Sequence, residues 1–346
     1  MRILYLSPGH PSHDDRFVQA IEAAGHEPVI PPVVPADPHE MRRLIDRVRP
    51  DVVHAGPIEP IARLAAEAGA CPLVAVSWGF DLLRDAQGWA RDRIAGTLAR
   101  SDALLVDCEA AAAVSRDMGM APDRIFNIPW GVDLDRFRPD PDRATRRRRL
   151  GWEGKVVVVS ARSHEPQYGI DIIVDAFAAV AAAIPNLQLI VLGDGSLTPQ
   201  LVAQALETGA SGRVTFGGRV PSSELAGYLQ AADIYVAASH VDGSSVTLLE
   251  AMAAGLPPVV SDIPGNREWV ESGSNGLLYA DGATASLRAA LADLGGDAAR
   301  RSAMGVRSRN IVAARADWSK NRLILDVLYR TATRAAANRR HVPSTS

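Results

Sequence analysis

Short, strongly apolar runs alternate with alanine-rich helical windows along nearly all of the 346 residues. Arg2–Ser7, Val29–Ile30, Asp51–His54, Pro72–Ser77, Ala103–Asp107 and Arg124–Ile128 read as strands. Arg16–Ala24, Met41–Val48, Ile58–Ala68, Trp89–Ala99 and Glu109–Met118 lie between them and read as helices. This alternation builds parallel sheets covered by helices on both faces. Val52–Val53 and Leu104–Val106 carry little polar alternation, as expected of strands buried on both sides.

The rhythm breaks over Phe137–Gly154, where Pro139, Pro141, Gly151 and Gly154 flank the basic run Arg146–Arg149. Proline, glycine and clustered charge together mark a linker. The arginines read as a solvated helix end at a domain boundary or as a contact for acidic lipid or phosphate. A second series follows, with strands at Lys155–Ser160, Leu187–Leu192, Arg213–Phe216, Asp233–Ala238 and Pro258–Ser261. The chain closes with helices near Ala285–Leu294, Ala298–Ala316 and Trp318–Ala337, and His341–Ser346 read as frayed. At about 150 residues per domain, two domains are expected. The reading is an α/β chain with a Rossmann-like domain over 1–150, a second over 151–316, and a C-terminal helix and tail over 317–346. Ligands of open parallel sheets bind beyond the carboxyl ends of the strands. Chemistry is therefore expected after Ser7, Ser77, Ser160, Leu192 and Ala238, in a cleft between the domains.

Charge and composition exclude several classes. With 37 Lys plus Arg against 40 Asp plus Glu, the formal net charge is −3. No basic field exists for nucleic acid or a membrane surface, so no nucleic-acid partner and at most peripheral membrane contact are expected. No apolar run approaches the ~18 residues of a membrane span, and the start reads as a strand without a signal-peptide core. Two cysteines, Cys71 and Cys108, cannot build a disulfide framework or a four-cysteine zinc site. A cytoplasmic setting is expected, with any membrane contact peripheral and at the inner face. Lys155 and Lys320 are the only lysines, so any phosphate-binding cation is expected to be arginine.

The densest signal is S-H-V-D-G-S-S-V-T-L-L-E over Ser239–Glu250. A strand ends at Ala238, a polar turn follows, and a helix begins. The amides of Gly243, Ser244, Ser245 and Val246 would face whatever lies over the helix start, where the helix dipole favours an anion such as phosphate. Asp242 and Glu250 stand eight residues apart, roughly 12 Å along a helix. They cannot share a proton or a metal ion, but they can touch the two ends of an extended ligand. Alternatively, Asp242 caps the helix and Glu250 is a surface residue.

The run from Asp242 through Val270, with Ser272–Leu278 after it, resembles the donor-binding signature of retaining glycosyltransferases of family 4, which have the GT-B fold of two Rossmann-like domains facing a cleft. Other segments are similar to the family in order: Ile128–Pro139, Arg162 with Gly169–Asp171 and Ala176–Phe177, Val191–Gly195, and Phe216–Val220. The resemblance spans about residues 1–335. It implies a metal-independent transfer of a sugar from a nucleotide-diphosphate sugar to a small-molecule, lipid-linked or glycan acceptor, with no further cofactor. Arg162 would bind the donor diphosphate and Asp242 the transferred sugar. Glu250 would hold the ribose, the Ser244, Ser245 and Val246 amides the phosphate, and Val220 the base edge. Gly9 would let the first loop approach the diphosphate.

Several positions depart from the family. Asp242 stands where the family has Glu, Tyr168 where it pairs its Arg with Lys, and Trp78 where it often has His. Tyr168 can donate only one neutral hydrogen bond, so helix N-termini, His164 or another arginine would have to assist Arg162. Asp81 reads as orienting the acceptor hydroxyl or as a helix N-cap. Acceptor choice is expected in Gly9–Arg16, His54–Glu59 and Trp78–Arg84. Asp133 and Asp135 imitate a metal-binding D-x-D but lie in the linker approach, and Gly193–Thr198 fails the dinucleotide fingerprint. His54 reads as a packing histidine. His10 and His13 have ligand spacing but no completing set. A donor-binding subunit without turnover and a sugar-nucleotide 2-epimerase remain as alternative readings.

Overall fold

A computed structural model describes residues 1–9 and 11–341, without the side chains of 11–13, 340 and 341. His10 and the tail beyond 341 lie outside the described residues. The chain divides into two compact units, Met1–Pro129 with the chain from Ser319 onward, and Trp130–Trp318.

The first unit holds six strands: β1 (Arg2–Leu6), β2 (Glu27–Val29), β3 (Val52–Ala55), β4 (Leu73–Val76), β5 (Ala103–Val106) and β6 (Ile125–Asn127). All pair in parallel, in the order β2-β1-β3-β4-β5-β6. β3, β4 and β5 are wholly buried, because helices cover both faces. The helix Ile324–His341 belongs to this unit. Its buried residues Leu325, Leu328, Tyr329, Ala332 and Ala336 recur at helical spacing and give it one apolar face.

His54, on β3, is a packing residue, as one reading of the sequence has it. It lies 5.1 Å from the rings of both Tyr5 and Phe17, and its Nδ1 shares a 3.0 Å hydrogen bond with the Tyr329 hydroxyl. Burial pushes its pKa down to about 3. The unfolded chain takes up that proton near pH 6.5 and the folded chain does not, so the folded state loses stability as pH falls from 6.5 towards 3. The slope reaches about 1.4 kcal/mol per pH unit. Burial also lowers His26 and His164, so His54→Gln should make the acid limb shallower without removing it. Urea titrations between about pH 7 and pH 5 read this directly; an unchanged limb contradicts it.

The second unit holds β7 (Val156–Ala161), β8 (Leu187–Leu192), β9 (Val214–Gly218), β10 (Ile234–Ala237), β11 (Pro258–Ser261) and β12 (Leu277–Tyr279). The parallel order is β12-β11-β10-β7-β8-β9. Beside β7 runs the helix Ile170–Ala181, which buries Ile170, Ile173, Val174, Phe177 and Ala181 on one stripe.

The division falls at Pro129, not at residue 150 as the sequence reading has it. Trp130, Val132, Phe137 and Trp152 are buried, and the last three join the core of the second unit. The presumed linker contains a helix, Arg143–Leu150, closed by Gly151 in the left-handed conformation. Asp233 ties it down, accepting from Arg143 at 2.6 Å, Arg147 at 3.0 Å and the Val157 amide at 2.8 Å. Arg146 pairs with Asp140 at 2.7 Å. Three of the linker arginines therefore have protein carboxylates as partners. Asp233→Ala would leave Arg147 half-enclosed without a counter-charge, and should lower unfolding free energy by about 2–3 kcal/mol. Denaturant midpoints test this; a loss below about 0.5 kcal/mol contradicts it.

Candidate functional site

In the second sheet the strand order reverses between β7 and β10. Ligands of such sheets bind beyond the carboxyl ends of the strands at that reversal. Arg162 follows β7 directly, and Ala238–Ser245 follow β10. The two loops are joined where the His240 amide donates to Gln167 O at 2.9 Å. Behind them, a side chain at Gly265 would lie 2.2 Å from Gly243 O and 2.6 Å from Asp242 O, so only glycine lets the loop after β11 back this turn.

Arg162 is the centre of the cluster. Its guanidinium donates to Asp242 Oδ2 at 2.6 Å and to Ser245 Oγ at 2.6 Å, with Thr247 Oγ1 at 3.3 Å. The Tyr168 ring lies over it, 4.3 Å from Cζ, at cation–π distance. Its Nε is buried with no hydrogen-bond partner among the described residues. Burial opposes the charge of Arg162, yet the neighbouring Asp242 carboxylate and the Tyr168 and Tyr235 hydroxyls hold its pKa above the ordinary value. Burial likewise raises Asp242, against the pull of Arg162 and the Gly243 amide.

Ser245 is the N-cap of the helix Val246–Ala253, and its side chain faces Arg162 instead of capping. The first N–H groups of a helix have no intrahelical acceptor. Positive ends of two kinds, guanidinium and helix start, therefore stand together, a suitable arrangement for an anion. The Ser244 hydroxyl accepts from Trp269 Nε1 at 2.9 Å. Glu250 is buried, one turn beyond Val246. Val220 follows β9 and packs on the core.

The structure thus brings Arg162, Tyr168, Asp242 and Ser245 around one guanidinium. Asp242 is this cation's partner and not a cap of the helix. Thr247 and Tyr235 were missed; Thr247, two residues after the N-cap Ser245, was the available signal. His164, offered as a second cation, does not supply one. Thr198 Oγ1 donates to Gly195 O at 2.9 Å and accepts from Gly195 N at 3.1 Å. It must then accept from His164 Nδ1, 2.8 Å away. Burial pushes the His164 pKa down, away from the charged form.

Asp81, read as orienting an acceptor hydroxyl or as a helix N-cap, holds two loops of the first unit. It is fully buried, and its oxygens accept from Ser77 Oγ at 2.5 Å, Ile58 N at 2.9 Å, Leu82 N at 3.0 Å and Trp78 N at 3.4 Å. It fastens the loops after β3 and β4 together. Burial raises its pKa against those donors. Gly9 lies after β1 with φ 89°, a conformation that glycine adopts without strain, and in open space. Asp133 Oδ1 accepts from the amides of Asp135 and Arg136, which makes that pair of aspartates a turn. Among the described residues no three His, Cys, Asp or Glu side chains group as metal ligands, and no helix is long and apolar enough to cross a membrane.

Residues 2–136 match the family described as Glycosyltransferase Family 4, and residues 142–311 match Glycosyl transferases group 1. The chain is 31% identical over 294 residues to a GDP-mannose-dependent alpha-(1-6)-phosphatidylinositol monomannoside mannosyltransferase of Mycolicibacterium smegmatis, covering 80% of this chain and 76% of that protein. The chain belongs to glycosyltransferase family 4. The protein of the same description from Mycobacterium tuberculosis is 30% identical over 326 residues, covering 88% and 83%. The GT-B fold of this family 4 glycosyltransferase is shared with solved structures. HepE of Anabaena, in complex with UDP and glucose, superposes with TM-score 0.79 at 20% identity, over 95% of this chain and 100% of that one. Sucrose-phosphate synthase of Thermosynechococcus elongatus gives 0.79 at 19%, over 97% and 100%. The matched stretch 142–311 contains every member of the Arg162 cluster.

Proposed function

We propose that this glycosyltransferase moves a sugar, with mannose from GDP-mannose as the leading donor, onto a hydroxyl of an inositol-phosphate lipid, with retention at the anomeric carbon and without a metal. The observation that carries the reading is the Arg162 guanidinium held beside the helix start at Val246, where a diphosphate fits. Donor and acceptor classes follow the relatives' names. The acceptor oxygen bonds to the anomeric carbon as the bond to the diphosphate breaks, and the acceptor's proton passes to the departing phosphate on the same face. Catalysis is then positioning and stabilisation of that charge by Arg162 and the helix start. Asp242 contacts the sugar, Glu250 the ribose and Val220 the base edge. With a lipid acceptor, the enzyme works from the cytoplasm as a peripheral protein at the inner membrane face.

The test is transfer from GDP-mannose to phosphatidylinositol mannosides in vesicles, with mass and anomeric linkage read on the product, with and without chelator. An α-linked mannosyl lipid formed equally in chelator supports the reading. A β linkage, or activity lost to chelator, contradicts retention or metal independence respectively. Tyr168, at the family's lysine position, favours one rival, a subunit that binds donor without transferring it; bound donor with no product supports that rival.

A further inference from the structure

We propose that Tyr168 is the positioning residue for Arg162: its ring fixes the plane of the guanidinium that receives the donor diphosphate, in place of a second cation. The inference rests on the reading of Arg162 given above.

Two restraints define that plane. Along its edge, Asp242, Ser245 and Thr247 accept from the terminal nitrogens. Across its face lies the Tyr168 ring, 4.3 Å from Cζ. Edge contacts alone leave the group free to rock about the edge; a ring on one face removes that motion. What remains is the buried Nε–H, which no atom among the described residues accepts. A guanidinium bonds phosphate best through two N–H groups in one plane, so the orientation of that plane governs how well it meets a diphosphate.

The ring itself is held. Tyr168 ends the turn Pro166–Tyr168, and its amide donates to Glu165 O at 2.9 Å. Gly169 follows with φ 56°, and a side chain there would lie 2.5 Å from Ala238 O. The turn is thereby seated on the end of β10, the strand that leads to Asp242. Tyr168 also packs on the core of the second unit.

Neither lysine substitutes for the missing charge. Lys155 sits just before β7, whose six residues separate it from Arg162 by about 23 Å at 3.3 Å per residue. Lys320 lies in the other unit. His164 is buried, its Nδ1 lies 2.8 Å from Thr198 Oγ1, and burial disfavours its charged form. The site gains order at Tyr168, where the lysine charge is absent.

The experiment compares wild type, Tyr168→Phe, Tyr168→Leu and Arg162→Ala by calorimetric titration with inorganic pyrophosphate, GDP and UDP, with unfolding midpoints measured beside them. Tyr168→Leu should weaken diphosphate binding about tenfold, the upper range for a desolvated cation–π contact. Tyr168→Phe should stay within about twofold, because the ring remains. Wild-type affinity in Tyr168→Leu, or an equal loss in Tyr168→Phe, overturns the inference. An affinity loss in Tyr168→Leu that Tyr168→Phe shares only in its unfolding midpoint leaves the ring as the cause and supports it. Binding lost in Arg162→Ala but kept in Tyr168→Leu sinks this inference alone. Binding kept in Arg162→Ala, or absent from wild type, sinks the reading of the site and this inference with it.

Discussion

Arg162→Ala is expected to lower turnover about a hundred- to a thousandfold, the usual loss when one preorganised donor to a developing anion is removed. The departing diphosphate gathers negative charge as the bond to the sugar breaks, and Arg162 is the cation beside the helix start at Val246. The same change also has a structural effect. Asp242 lies against Arg162 at 2.6 Å and is mostly buried; without the guanidinium it is a buried charge with no counter-ion, a loss of about 3 kcal/mol. Burial already raises the Asp242 pKa with Arg162 present. A carboxyl raised in the folded state penalises folding only once it ionises, so the deficit of Arg162→Ala should shrink as pH falls into the carboxylate range. The double variant Arg162→Ala with Asp242→Asn should regain stability and remain as slow as the single variant. Recovery of turnover in the double variant contradicts the role of Arg162.

Asp242→Asn should separate binding from turnover. In the structure Asp242 holds the guanidinium at 2.6 Å, and on the proposed reading the diphosphate has to compete with it. Two unit charges at about 4 Å interact by roughly 1–4 kcal/mol between water-like and surface-like screening, so neutralising the carboxylate should tighten nucleoside diphosphate binding by at least about fivefold. Turnover should fall about a hundredfold, because the product diphosphate is held and a sugar contact weakens. Calorimetry with GDP and UDP, and initial rates, read the two effects. Diphosphate affinity that is unchanged or weaker in Asp242→Asn contradicts the competition.

The strands that read most easily from sequence are those buried on both faces. β7 is four valines followed by Ser160 and Ala161, and β3 to β5 are equally unbroken. β12 escaped because three residues, Leu277–Tyr279, are too few to show a period after the Ser-Gly-Ser-Asn-Gly turn. The helix Arg143–Leu150 was read as linker because its local composition is that of a linker. Its partner Asp233 lies about ninety residues on, and no local rule reaches that far. The fastening role of Asp81 was hidden for the same reason: its nearby donors were visible, but the Ile58 amide, 23 residues earlier, was not. In the candidate site, motif order picked out Arg162, Asp242 and Ser245 separately. Their joining across about eighty residues, and the seating of Tyr168 on the guanidinium, are properties of the fold that positions β7 beside β10.

The most direct measurement is the unfolding free energy of wild type and Arg162→Ala across GDP, UDP, ADP, dTDP and their sugars. The account predicts that one base stabilises wild type, by about 2.7 kcal/mol at a hundred times its dissociation constant, and that Arg162→Ala loses the effect. Stabilisation that survives in Arg162→Ala, or that no nucleotide in the panel produces in wild type, would contradict a sugar-nucleotide transferase centred on Arg162.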